Sequence, residues 1–438
     1  MHPGFSTCAM ACAAILALST SPGAEAEAVS GTVRVRAQTE AAIRLEDGSA
    51  SLARVSVQPR FQVRSAKGWR AEVSAQLVAA PDETGVGSIR TYSAASRPVE
   101  LGHDGRIELD RAFVTFGTGD QRLTLGKQSL AWGILDGLQV TDRFDPVNRT
   151  EGVFGEIRPQ RLARWGVRWQ AQVAGTRIDA AAALDPTVSQ LPQASGAFAP
   201  VAPRLRAGLP GGAATLPLTV AARDEYLKDA TLGLRASRTF GRSEASLVLI
   251  SGPETEPVFE ATSTPGGPAI ALRYPRRAVI GATLDRADGP RVWRVEAAYI
   301  PDQPVNIRTA QPVASESRPR FLAGLGLDWS APGDVLFNLQ LGVDHIDAGD
   351  ADIVRPETDV IATLRLQRAF RNERFWLKGE ILGTLSEGDG AFRPWLEWRQ
   401  SDDLVISAGA DLVWGREQGL FGQYESQSRL WTRVARTF

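Results

Sequence analysis

The stretch Val55-Ser56-Val57-Gln58-Pro59-Arg60-Phe61-Gln62-Val63-Arg64 decides the architecture. Its odd positions carry Val, Val, Pro, Phe and Val, and its even positions Ser, Gln, Arg, Gln and Arg. On a helix, residues two apart point to nearly opposite sides, so this order would scatter the apolar groups. On a strand it gathers them on one face and leaves a polar, basic face opposite. The same period appears upstream, where Val33, Val35 and Ala37 alternate with Arg34, Arg36 and Gln38. It returns far downstream, where Val360, Ala362, Leu364 and Leu366 alternate with Thr363, Arg365 and Gln367. The chain reads as β throughout.

Connections between these runs set the fold class. Tight polar or Gly/Pro turns fall at Ser65–Gly68, Gly117–Asp120, Ala174–Thr176, Gly241–Glu244, Ala287–Pro290, Ala331–Asp334, Arg371–Glu373 and Ser401–Asp403. Longer, variable segments separate them: Glu46–Ala50, Ala80–Gly105, Ile134–Gln160, Asp185–Asp229, Gly252–Arg276, Pro301–Arg318, Asp347–Glu357, Leu385–Ala391 and Gly415–Glu425. Strict alternation of short and long is the layout of a closed antiparallel transmembrane β-barrel, with short periplasmic turns and long extracellular loops. About 18 strands are predicted, with 16 as the alternative count, and a bulge is expected within Ile107–Phe116, where the alternation changes phase.

Composition narrows the chemistry. The 438 residues include 42 Gly and 11 Trp, and a formal charge of −1 gives no basic excess for nucleic acid. Both Cys (Cys8, Cys12) lie in the first dozen residues, which excludes thiol catalysis, Cys-ligated zinc, disulfides and iron–sulfur chemistry downstream. Cys8–Leu18 is an apolar run followed by Ser21-Pro22-Gly23 and by small residues at Ala24, Ala26 and Ala28. This is the order of a secretory signal, so residues 1–28 are expected to be a signal peptide and 29–438 the barrel. The apolar run is too short to span a bilayer.

Aromatic residues mark the two strand ends. Trp69, Phe116, Phe240, Trp293, Trp329, Phe370, Phe375, Trp398 and Phe438 fall beside short turns or the terminus, and Trp132 and Trp414 at the long-loop ends. Two such belts are expected at membrane interfaces. The final Phe438, with Val434 and Leu430 in phase behind it, resembles the outer-membrane assembly signal. That resemblance implies handling by the barrel assembly machinery.

Leu123–Gly133 reads Leu-Thr-Leu-Gly-Lys-Gln-Ser-Leu-Ala-Trp-Gly and is followed by Asp136, Asp142, Asp145 and Pro146. Gly126, Lys127, Gln128, Trp132, Gly133 and Pro146, together with Asp142, match a signature of proteobacterial outer-membrane barrels. In this respect the chain resembles the alginate-export and DUF1302-type channels. The resemblance implies a barrel in the bacterial outer membrane, in contact with lipid and lipopolysaccharide, acting as a passive channel.

If the apolar phase faces lipid, the other phase lines a lumen. Arg34, Arg36, Arg54, Arg60, Arg64, Arg122, Arg235, Arg294, Arg320, Arg365, Lys378 and Arg399 are then pore-lining, with fewer acids in phase and compensating acids in the loops. A basic tube favours an anionic solute or polyanion. The acidic segment Ile134–Gln160, carrying Asp136, Asp142, Asp145 and Glu151, is expected to fold inward as a constriction bonded to lumen arginines, with Asp185–Asp229 as the competing plug. A loop-plugged barrel with an envelope role is the alternative. A rim hydrolase using His345 beside Asp344 is third, because strand neighbours point to opposite faces. Catalysis, cofactor and resident metal are not expected. Loop acids such as Asp347, Asp350 and Asp352 could hold calcium or bridge lipopolysaccharide, but a solvated acidic loop is the expected reading.

Overall fold

The computed structural model describes residues 29–80, 91–102, 104–154, 160–192, 198–205, 218–220, 224–308 and 313–438. The expected signal segment 1–28 lies outside the described residues. Among those described, eighteen antiparallel strands, from Val29–Arg44 to Arg429–Thr437, pair in chain order around a closed barrel. The ring closes where Arg36–Arg44 pairs with Arg429–Thr437. Terminal Phe438 extends this seam: its N–H donates to the Val35 carbonyl at 2.8 Å, and the Val35 N–H returns a bond at 3.1 Å. Closure leaves no strand edge unpaired in a medium that offers no water to satisfy it.

The chain reverses between adjacent strands at all eight of the expected short turns. The predicted phase change is a bulge. Asp110 has no cross-strand partner, while Arg111 pairs with Ser74 and Leu109 with Ala75. Two long connections are shorter than expected. Pro301–Arg318 is mostly strand, because Arg291–Ile307 and Ala314–Ala331 continue past the barrel rim. Asp389–Arg399 begins where a loop was expected, since Thr384 bonds across to the Asp389 carboxylate.

The pleat separates the two phases as a membrane requires. Leu247 is 65% and Phe321 49% exposed on the outer face, while Glu296 is 0% exposed inside. That inversion of the soluble pattern gives an apolar outer band for lipid, the band of a bacterial outer-membrane barrel. Moving each such side chain from water to hydrocarbon contributes roughly 1.5–3 kcal/mol. Phe116, Phe240, Trp293 and Trp398 face outward beside the short turns. Trp132 departs from the expected outer belt. It is 1% exposed and sits inside the barrel, in an apolar core with Leu130, Leu135, Leu138, Val140 and Phe144. The physical reason is that the last strand residue is Gln128, so Trp132 already belongs to an inward-turning loop.

Candidate functional site

The loop after Gln128 enters the barrel and lies against one wall. That wall is built for it by missing side chains. A Cβ on Gly324 would lie 2.4 Å from Leu135, one on Gly342 2.7 Å from Leu138, and one on Gly233 2.5 Å from Trp132. These inward glycines leave a shallow floor into which the loop's apolar side chains fit. Val248, Ile250, Val279, Ala298, Ile300 and Leu322 complete the packing.

Polar anchoring runs from loop backbone to wall side chain. The Glu296 carboxylate accepts from the N–H of Ile134, from that of Leu135 at 2.8 Å, and from Thr141 through both N–H (2.9 Å) and hydroxyl (2.7 Å). Gln340 accepts from the Gly137 N–H at 3.0 Å. A buried carboxylate with this many donors is satisfied without a guanidinium.

The loop acids divide among different partners. Asp145 accepts from Arg164 Nε at 3.3 Å and from the Leu130 N–H at 2.5 Å, in a pair almost wholly removed from solvent. Burial pushes the Asp145 carboxyl up to about 6, against the lowering influence of Arg164. Asp142 pairs with Arg161, a residue of the same connection, and accepts from the Trp132 N–H at 3.3 Å. Glu151 pairs with Arg54 and lies 3.7 Å from Arg429; those two arginines hold its carboxyl below the usual range despite burial. Asp136 lines the remaining cavity. Arginine pairing to Asp145 and Glu151 therefore supplements an attachment made chiefly of apolar contacts and backbone donors. The sequence reading had arginine pairing as its main force.

The signature residues serve this entry. Gly126 has φ +124°, and a Cβ there would meet the Ala112 carbonyl at 2.2 Å, so only Gly fits. Gly133 lets the chain pass Asp142, whose Cβ would lie 2.7 Å from an added methyl. Trp132 donates from Nε1 to Asp179 at 3.3 Å and packs on Phe144 with centroids 5.2 Å apart. Lys127 is buried at 1% exposure, Gln128 donates to the Thr124 carbonyl at 3.4 Å, and the Pro146 carbonyl accepts from Leu162 at 2.8 Å.

What the loop leaves open is a cavity of about 1310 Å³ against the opposite wall. Its lining carries thirteen Arg or Lys against ten Asp or Glu. Of the expected pore-lining cations, Arg36, Arg54, Arg320, Arg365 and Lys378 are on it. Arg34, Arg60, Arg64, Arg122, Arg235, Arg294 and Arg399 share the inward phase but lie toward the short-turn end, outside the cavity lining. Four of these seven pair with neighbours: Arg60 with Glu72, Arg235 with Glu244, Arg294 with Asp328 and Arg399 with Glu397. Several cavity cations are paired too, among them Arg320 with Asp344, Arg365 with Glu380 and Lys378 with Glu397.

Sequence reasoning missed Arg143. This loop residue lines the cavity beside Arg320, and its Nε has no hydrogen-bond partner among the described residues. Burial, then the like charge of Arg320, pushes its guanidinium down to about 9. Also missed was a second junction, where Phe154, Phe198, Phe421 and Tyr424 of three loops meet under the Arg429 guanidinium. Its signal was the clustering of loop aromatics with no place on a strand.

His345 and Asp344 are parted by the pleat. Asp344 faces inward onto Arg320 and Arg355, whereas His345 stacks outward on Phe321 and bonds Thr358 at 2.8 Å. Among the described residues no group of three or more His, Cys, Asp or Glu is placed to hold a metal.

No family model matches this chain, and no curated protein matches it by sequence. Solved structures resemble it in fold. OccAB2 of Acinetobacter baumannii is 9% identical with a TM-score of 0.51, over 93% of this chain and 98% of that one. A BenF-like porin from Pseudomonas fluorescens Pf-5 is 8% identical with a TM-score of 0.48, over 94% and 98%.

Proposed function

We propose that this chain is a passive outer-membrane channel whose narrowed lumen favours anionic solutes. The observation that carries the reading is the cavity beside the inward loop, where cations exceed acids and Arg143, whose Nε lacks a hydrogen-bond partner, makes no ion pair with a carboxylate among the described residues. A guanidinium in a low-dielectric channel keeps most of its field, so it lowers the free energy of a passing anion and raises that of a cation. The signature around Gly126 and Trp132 supports kinship with alginate-export-type barrels, and terminal Phe438 supports delivery by the barrel assembly machinery. Because Asp344 and His345 face opposite ways, the rim-hydrolase reading has no dyad to rest on. A plugged, non-conducting barrel is the second reading, favoured by the apolar core that the inward loop builds inside the barrel. Planar-bilayer recording with a KCl gradient tests both. A reversal potential on the chloride side supports the channel. Cation selectivity overturns the anionic bias, and absence of conductance supports the plug.

A further inference from the structure

Outside the lumen, the short-turn end of the barrel carries a second set of arginines. Arg291 adjoins the Ala287–Pro290 turn, Arg368 ends an otherwise apolar outward row (Val360, Ala362, Leu364, Leu366), and Arg371 lies in the next turn. All three are exposed, and among the described residues none is within ion-pair distance of a carboxylate. Each lies over a ring: Arg291 5.4 Å from the Trp329 centroid, Arg368 5.1 Å from Phe370, and Arg371 5.8 Å from Phe375.

Those rings form one ribbon. Trp329 meets Phe337 edge-on at 6.3 Å, Arg368 is opposite Val335 two residues from Phe337, and Phe375 stacks on Trp398 at 6.1 Å. The ribbon crosses the consecutive strands from Arg291–Ile307 to Asp389–Arg399. Asp334 lies in the intervening turn. Elsewhere on the belt, Phe116 and Trp169 have no guanidinium over them among the described residues. At the closing seam Arg436 lies 4.9 Å from the Phe438 centroid, but it is paired with Asp403 at 3.0 Å. Among the described residues the arc is therefore where outward, ring-stacked guanidiniums lack a carboxylate.

We propose that this arc binds the phosphate of anionic phospholipid in the periplasmic leaflet. An arginine on the lipid-facing phase has no access to solute in the lumen, and at the short-turn end it lies in the leaflet opposite the long loops. Stacking on an aromatic face fixes the guanidinium plane and leaves its outward N–H groups free to fork onto phosphate oxygens. The belt aromatics sit at headgroup depth, so each held guanidinium meets a phosphodiester rather than acyl chain. Three stations on neighbouring strands suit several headgroups, or one lipid with two phosphates.

The test uses the full barrel purified in detergent, with mixed phosphatidylglycerol and phosphatidylcholine added as probes and retained lipid counted by native mass spectrometry. Preferential retention of phosphatidylglycerol is expected, reduced several-fold in the triple variant Arg291→Gln, Arg368→Gln, Arg371→Gln. Heat-modifiable migration on gels verifies that the variant barrel is closed. If the triple variant does not close, Arg368→Gln alone is compared. Equal retention of the two lipids by the unaltered barrel overturns the proposal, as does undiminished phosphatidylglycerol on a closed variant. Channel selectivity is not read, so failure here leaves the lumen assignment standing.

Discussion

Thr141 donates to Glu296 twice, through its backbone N–H at 2.9 Å and its hydroxyl at 2.7 Å, and so ties the inward loop to the barrel wall. The acid belongs to the strand and the donors to the loop.

Replacing Glu296 by Ala strips acceptors from Ile134, Leu135 and Thr141 at once. Each buried donor left unsatisfied costs about 1–3 kcal/mol, enough together to release the loop. Larger and noisier single-channel currents are expected with the barrel still heat-modifiable. Traces identical to the unaltered protein would refute the anchor.

Gly324→Val tests the glycine floor. A Cβ there would lie 2.4 Å from the Leu135 side chain and 3.2 Å from that of Val140, so the branched Val methyls are expected to displace both and loosen the loop, at a cost of roughly 1–3 kcal/mol for overpacking. The strand gains β-propensity, so the wall itself is unharmed. Trypsin is expected to cut at Arg143 or Arg149 faster in this variant, read by mass spectrometry of the fragments.

Asp145 sets a pH dependence with a definite sign. Its carboxyl is raised to about 6 in the folded loop, so the native state holds the extra proton. Its contribution to docking is full below the unfolded value near 4 and is lost as pH rises through 6. Glu151 is shifted the other way, so its support is lost only as pH falls below about 4.5. Between pH 4.5 and 6.5, open-channel noise is expected to grow with pH, and Asp145→Asn is expected to flatten that trend. A variant that keeps the full trend would assign it to another group.

Selectivity is expected to depend on Arg143 and Arg36 more than on Arg60 and Arg64, which lie outside the cavity lining. Arg143→Gln with Arg36→Gln is expected to lower the chloride-to-potassium permeability ratio about two- to fivefold, for a change of roughly 0.4–1 kcal/mol in relative barrier. Arg54→Gln is a different experiment, since it also removes one of two arginine partners from each of Glu40 and Glu151. It is expected to reduce anion preference and loosen the loop together.

The barrel was legible because a strand's face is set by parity alone. Val55 to Arg64 needs no knowledge of its neighbours to show which side is apolar, and the turn at Ser65–Gly68 announces itself in polar and glycine residues. Closure, strand order and the bulge at Asp110 followed from the same local rule. Even the inward glycines had a signal, since Gly324, Gly326 and Gly342 fall in the phase that elsewhere carries large polar groups.

The lumen was less legible, because pairing within it joins residues far apart in sequence. Parity placed Glu296 inside but could not say that backbone groups of residues 134–141 would meet it, more than 150 positions away. Trp132 read as belt from its place after a strand, and only the path of the loop turned it inward. Charge counts along the inward phase treated the tube as uniformly lined. Packing of the loop on the glycine floor covered that part of the wall and left the cavity to a lining that includes Arg36, Arg54, Arg143 and Arg320. The alternation of side chains determined the wall by itself. Which part of that wall faces open space was decided by tertiary contact, because a loop's resting place depends on surfaces brought together only when the barrel closes.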